Sequence, residues 1–285
     1  MESYKIINGK SIYTPKGAAL EYGRVGCNFY IGCPHDCEYC YLKRGASSKQ
    51  LGGKEVRLKK CFKDEMDALE VFCKEVRKHI DHLKETGVFF SFTTDPMIQE
   101  AIDLTLSAWN MCIYNDIPVK VLTKDASFVD HKRMQLNYKS NAVRDLVHFG
   151  FTLTGRDDME PMASSNADRI KAMKRLHDMG FKTWASIEPV IDWESSSKMV
   201  LETLGCCDHY KIGLRSGVKR DYYDFKETAD IVNSLTVAIR NAGRTVYLKQ
   251  SIRNFLGNAM PGDDWQKILS RTVDMDGNEW NNLQI

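Results

Sequence analysis

The sequence predicts an α/β fold, a partial parallel barrel of the (β/α)6 type with a short C-terminal extension. Short β-branched or aromatic runs alternate with amphipathic stretches, and several of those stretches close on a glycine. Strand, helix, strand, repeated six or seven times, implies parallel strands joined by right-handed crossovers. No Pro-rich, Ser-rich or low-complexity linker interrupts the 285 residues, so one domain is expected. It divides into an N-terminal segment 1–24, the barrel 25–252 and a C-terminal cap 253–285.

The strands read at 25–31, 88–94, 119–123, 147–154, 182–191, 209–214 and 246–250. Between them, 64–85 places Met66, Leu69, Phe72, Val76, Ile80 and Leu83 on one helical face before Gly87. Ser165 with Asp168 resembles a capping box, and Ile170, Met173 and Leu176 carry the apolar face to Gly180. Phe225, Thr228, Ile231, Leu235 and Ile239 repeat the pattern before Gly243. In such folds ligands gather outside the carboxyl ends of the strands, so chemistry-bearing residues are sought there.

With 43% hydrophobic and 27% charged residues the chain can bury a full core and is not of disordered composition. The formal net charge of +2 supplies no global field, so any attraction to phosphate must be local. No run of about eighteen apolar residues is present, so no membrane partner is expected and the cytoplasm is the default compartment. In that compartment nine cysteines read as thiols or metal ligands rather than disulfides.

The first strand runs into GCPHDCEYCYLK, a CxxxCxxC triad of Cys33, Cys37 and Cys40. Three thiolates on one compact loop suit three irons of a cubane and leave the fourth open to a small chelating molecule. Zinc is the rival reading, but it wants a fourth protein ligand, and only His35 or Cys27 is at hand. His35 reads equally as exposed loop and Cys27 as core.

With Tyr39 before the last cysteine, the triad resembles the CxxxCxΦC motif of the radical S-adenosylmethionine (SAM) superfamily, here Φ being aromatic. Tyr41 and Leu42, TTDP, LTK, FTLTG, SSNADRIKAMKRLHDMGF and SIEPVID make the chain most similar to the spore photoproduct lyase group, over about residues 25–192. The resemblance implies a 4Fe-4S cluster on the triad, SAM as cofactor, reductive cleavage to a 5′-deoxyadenosyl radical, and an electron donor such as flavodoxin or ferredoxin.

It also implies roles, each with a plainer alternative. Thr93, Thr94 and Asp95 would hold the methionine amino group; Asp95 before Pro96 also reads as a helix N-cap. Lys124 would approach the SAM carboxylate, or be an exposed lysine. Thr152 and Thr154 suit ribose or carboxylate contacts, or core packing. Arg169 matches a family arginine, or is a surface residue. Glu188 would bind ribose or substrate, or end a solvated turn, and Gly213 would let backbone approach adenine.

One departure limits the resemblance. The lyase carries its hydrogen-donor cysteine where this chain has Phe92, so photoproduct repair has no obvious final donor. Cys73 and Cys112 read as helix core, and Cys206 and Cys207 precede the sixth strand at the opposite end of a barrel. Cys61 remains the candidate donor, with a structural cysteine as its alternative.

Residues 43–60 carry Lys43, Arg44, Lys49, Lys54, Arg57, Lys59 and Lys60 against Glu55 alone, a patch suited to a nucleic acid or nucleotide substrate, or a solvated basic loop. The tail after the last strand, with Lys249, Arg253, Phe255 and Trp265, would cover the mouth or simply cap the fold. Radical modification of a peptide or small metabolite, and a non-catalytic metal-stabilised binding module, stand as the other functional readings.

Overall fold

The computed structural model describes residues 5–45, 48–137, 141–219, 221–257 and 260–273. Ten strands are present in these segments: β1 (Ile12–Tyr13), β2 (Gly26–Cys27), β3 (Tyr30–Ile31), β4 (Arg57–Leu58), β5 (Val88–Phe90), β6 (Val119–Thr123), β7 (Val147–Thr152), β8 (Lys182–Val190), β9 (His209–Leu214) and β10 (Thr245–Leu248). Eight form one mostly parallel sheet in the order β1-β2-β5-β6-β7-β8-β9-β10, and β3 and β4 pair separately. No pairing among the described residues closes the sheet on itself, as an open or partial barrel requires.

Two compact units share this succession, dividing at Phe149–Gly150 within β7. The first holds the chain to Phe149 with Glu160–Ser164 and Gly180–Lys182; the second holds the remainder.

In the first unit β2, β5 and β6 are parallel, and β1 adds an antiparallel edge to β2. The expected strand 25–31 breaks in two because Asn28 leaves the ladder. Its N–H donates to the Ser11 carbonyl at 3.1 Å, its amide nitrogen to Tyr13 Oη at 2.8 Å, and its Oδ1 accepts from Phe92 N at 2.8 Å. The expected strand 88–94 ends at Phe90 for a related reason. Ser91 Oγ donates to the Thr94 carbonyl at 2.6 Å and Thr93 Oγ1 to the Tyr30 carbonyl at 2.5 Å, local bonds that compete with a ladder.

The helix Glu65–Lys78 starts at Asp64, whose carboxylate accepts from Asp67 N at 2.8 Å, and buries Ala68, Phe72 and Val76. It stops at His79, and Ile80–Thr86 follows as a separate helix ending at Gly87, φ 67°. Met66, expected on the buried face, is 70% exposed, because that face runs through Ala68. The helix Ile102–Tyr114 buries Trp109 and Cys112 behind Phe90 and Phe149.

In the second unit β8, β9 and β10 are parallel, with Ser186 opposite Lys211 and Lys211 opposite Tyr247. The helices Asn166–Asp178, Trp193–Thr203 and Phe225–Asn241 are capped by Ser165, Asp192 and Asp224. The middle one escaped the sequence reading. Lys249 follows β10 directly and caps the short helix Gln250–Leu256. Residues 258–259 and 274–285 of the expected C-terminal cap lie outside the described residues, as do 46–47 of the basic loop and 1–4 of the N-terminal segment.

Candidate active site

The three triad cysteines lie on the loop that leaves β3. Cys33 N donates to the Gly53 carbonyl at 2.9 Å and Cys40 N to the Cys37 carbonyl at 3.3 Å, which folds the loop back on itself. Asp36, at φ 55°, turns the chain between the first two cysteines and pairs at 2.5 Å with both Lys43 and Lys54. Those two lysines hold the Asp36 carboxyl below the usual carboxylate range.

His35 is buried, where the sequence also allowed an exposed loop residue. Its Nε2 donates to Asp95 Oδ2 at 2.7 Å, and its Nδ1 faces the Met162 carbonyl oxygen at 3.3 Å. Asp95 lies just beyond β5 and accepts from three further donors: Thr123 Oγ1 at 2.7 and 2.9 Å, Lys124 N at 2.7 Å and Met97 N at 3.0 Å. Burial alone would raise the Asp95 pKa, but His35 and these N–H groups outweigh it and hold the carboxyl below its ordinary value. Burial likewise pulls the His35 pKa down, and the Asp95 hydrogen bond and charge overcome it, so the net shift is upward. Met97 N caps onto Asp95 in a turn, since the next helix begins only at Ile102.

Tyr39, the aromatic of the motif, is buried and donates its hydroxyl to Glu160 Oε1. Lys124 Nζ stands 5.6 Å from the centroid of the Tyr39 ring. Glu160, 2% exposed, escaped the sequence reading because nothing in GRDDMEP marks it as buried. Thr94 Oγ1 is buried and makes no hydrogen bond, the kind of orphaned hydroxyl that a ligand would satisfy. Thr93 by contrast spends its hydroxyl on Tyr30.

Burial pushes the Cys33 thiol up to about 12, helped by the Asp95 charge, and also raises Cys37, against the pull of Lys124. Both are therefore thiols at neutral pH until a metal displaces their protons. Among the described residues no three His, Cys, Asp or Glu side chains are grouped as ligands of a metal ion. The chemistry of the donor set nevertheless fits a cubane, in which each thiolate serves a different iron and the ligands need not meet at one point. The orphaned Thr94 hydroxyl, on the segment just beyond β5, fits a polar ligand there.

Phe92 lies within an aromatic cluster, 4.6 Å from the Phe89 ring and 6.4 and 6.5 Å from Tyr22 and Tyr13. Gly26 is required beneath it, because a Cβ there would lie 2.8 Å from the Phe92 ring. Cys61 sits in an exposed turn, which removes the buried structural role that was its alternative. Cys27, Cys112, Cys206 and Cys207 are buried; Cys73 is half-buried.

In the second unit Thr152 and Thr154 are 3% and 0% exposed. Thr154 N donates to Asn166 Oδ1 at 3.0 Å, and its hydroxyl accepts from Arg156 N at 3.2 Å. Arg169 is no surface residue: it is wholly buried and donates to the Thr152 carbonyl at 2.6 Å, fixing the end of β7. Glu188 pairs with Lys249 at 2.5 Å, and Gly213 lies against both, its missing Cβ 2.9 Å from Glu188 Oε1 and from Lys249 Cδ.

No family model matches the chain. The uncharacterized protein MJ0683 of Methanocaldococcus jannaschii is 28% identical over 169 residues, which are 58% of this chain and 59% of that protein. The chain thus matches about three fifths of the length of that relative. Among solved structures, a cysteine-to-alanine mutant of spore photoproduct lyase superposes with TM-score 0.57 at 16% identity, covering 87% of this chain and 81% of the lyase. Streptococcus suis SuiB bound to S-adenosylmethionine gives 0.53 at 14% identity, covering 82% of this chain and 50% of SuiB. SuiB bound to its precursor peptide SuiA gives 0.54 at 14% identity, over 84% of this chain and 52% of SuiB. Among the described residues no helix is long and apolar enough to cross a membrane. The strand succession and these superpositions show that the chain shares the fold of spore photoproduct lyase and SuiB.

Proposed function

We propose that the protein is a radical SAM enzyme, with Cys33, Cys37 and Cys40 holding a 4Fe-4S cluster and SAM chelated at its open iron. The observation that carries this reading is the triad loop, braced by His35 on Asp95 and joined by Lys124 over the motif aromatic Tyr39, in a chain of this fold. When bound, the cluster would supply the low-potential electron that cleaves the sulfonium and releases a carbon-centred radical able to abstract hydrogen from a substrate. The chain's own residues bind and orient. Tyr39, fixed by Glu160, shapes the wall beside Cys40; Lys124 offers a cation to a carboxylate; Thr93 shapes the loop and Thr94 offers a hydroxyl to an amino group. Thr152, Thr154, Arg169, Glu188 and Gly213 keep the ribose, carboxylate and adenine roles that the resemblance implies. Arg169 acts through the Thr152 carbonyl, and Glu188 is steered by Lys249.

The substrate reading is a phosphate-bearing molecule, nucleic acid or nucleotide, met by residues 43–60. Lys43 and Lys54 pair with Asp36, Arg57 with Glu55 at 3.8 Å, and Lys59 Nζ donates to the Lys10 carbonyl at 2.5 Å, so much of the positive charge of this segment is already engaged. That economy favours keeping a peptide or small metabolite as the second reading. Phe92 in its aromatic cluster leaves no thiol beside Thr93, so photoproduct repair is not proposed; the exposed Cys61 is the remaining candidate hydrogen donor. Electrons would come from a flavodoxin or ferredoxin in the cytoplasm.

The test is anaerobic reconstitution with iron and sulfide, then dithionite and SAM. Wild type should release 5′-deoxyadenosine and the Cys37→Ala variant should not. Equal, background-level product from both, across several reductants, removes the enzyme reading, and zinc alone in the anaerobically purified protein favours the binding module.

A further inference from the structure

Asp95 sits where the resemblance places a partner for the amino group of SAM, yet its carboxylate is already engaged. A carboxylate offers about four lone-pair directions. Here four donors take them: His35 Nε2, Thr123 Oγ1, Lys124 N and Met97 N, all within 3.0 Å. The side chain is only 5% exposed. Both ring nitrogens of His35 are engaged, Nε2 by the Asp95 carboxylate at 2.7 Å and Nδ1 by the Met162 carbonyl oxygen at 3.3 Å, so the ring is held at both ends. An ammonium group brought to Asp95 would have to displace one of these donors and leave it buried without an acceptor. One residue along the chain, the Thr94 hydroxyl is buried with no hydrogen bond at all.

We infer that Asp95 is reserved for His35, that His35 is a positioning residue pinning the 33–40 loop to the ends of β5 and β6, and that Thr94 rather than Asp95 meets the amino group of the cofactor. The position of His35 gives the pin its reach. It lies between two of the cysteines, whereas Asp95 follows β5, Thr123 ends β6 and Lys124 comes next. Met162 N also donates to the His35 carbonyl at 3.3 Å, so ring and backbone are held from the same side. The ligand part rests on the proposed use of SAM; the pin does not.

Two measurements on the full-length chain test this. The first is amide hydrogen exchange across residues 33–40 in anaerobically purified protein. His35→Leu and Asp95→Asn should each speed exchange there by about tenfold or more, the double variant should be no faster than the faster single one, and His35→Gln, which keeps a donor, should recover part of the protection. Wild-type exchange in His35→Leu and Asp95→Asn, or additive effects, would overturn the pin. The second compares SAM with its desamino analogue by equilibrium dialysis against the reconstituted holoprotein. Asp95→Asn should weaken both equally, whereas Thr94→Val should weaken SAM by about tenfold, the worth of one hydrogen bond, and leave the analogue unchanged. Loss of SAM alone in Asp95→Asn would return the amino group to Asp95. If wild type binds neither molecule, the cofactor reading and Thr94's part in it fall, and exchange still decides the pin.

Discussion

Asp95-Pro96 beyond β5 and Glu188-Pro189 in β8 are the same dipeptide type at strand ends, and each carboxylate pairs with a side-chain nitrogen from another element, that of His35 or Lys249. Their surroundings differ. The Asp95 side chain is 5% exposed and held by four donors, whereas the Glu188 side chain is 24% exposed and rests against Gly213. A strand-end carboxylate is therefore not a ligand site by position alone. The closed one is held on every side by donors from the chain, and the other is partly open to solvent.

Removing each carboxylate should separate the two roles most strongly. Asp95→Ala strips four buried donors, His35 Nε2, Thr123 Oγ1, Lys124 N and Met97 N, of their shared acceptor, a loss of about 3–5 kcal/mol. Glu188→Ala leaves the Lys249 side chain, 3% exposed, beside a position that is itself partly open to water, and should cost less, about 2–3 kcal/mol. Urea unfolding with an unchanged m-value measures both. Equal losses would erase the distinction between a closed and an open carboxylate.

A gentler intervention acts on the open pair alone. Gly213→Ala would set a Cβ 2.9 Å from both Glu188 Oε1 and Lys249 Cδ, so the pair must shift to admit it. A cost of about 1–2 kcal/mol in the same unfolding experiment is expected. No loss would show that the pair has slack, and that the space over Gly213 does not depend on a glycine there.

The sequence made one half of this contrast visible and hid the other. The strands from β5 to β10 were legible because they are short apolar runs alternating with helical stretches, and the triad was legible from cysteine spacing alone. The two-residue strands β1 and β4 were not, since so short an element carries no periodicity. Nor was the split of 25–31, which follows from Asn28 bonding to Ser11, Tyr13 and Phe92, residues far apart in the chain. Whether Arg169 was a surface residue stayed open, because a helix position next to Ile170 gives no sign of which side is buried, and the face is set by Asn166, Arg169, Ala172, Met173 and Leu176. Glu160 and the His35 pin belong to the same class. A buried polar residue is specified by partners brought in by tertiary structure, and no local pattern announces it.

Glu75 supplies the control for a carboxylate that is structural with no ligand nearby in sequence or fold. From the helix Glu65–Lys78 it accepts from the backbone of Lys10, Ser11 and Ile12 at 2.6, 3.0 and 3.0 Å and from Ser11 Oγ at 2.5 Å, tying down the chain that enters β1. Burial raises its pKa, but these donors outweigh that and leave the carboxyl below its ordinary value. A depressed folded-state pKa means stability that is present above the unfolded value of about 4.3 and is lost as the pH falls through the folded value. Glu75→Gln keeps one acceptor oxygen and half the geometry, so the expected cost at neutral pH is the smallest of the series, about 1 kcal/mol. The gap between wild type and variant should narrow as the pH falls below the unfolded value of about 4.3 and close once it has passed through the lower folded value. A gap that persists undiminished into that range would mean the shape of the side chain, and not its charge, holds the edge strand.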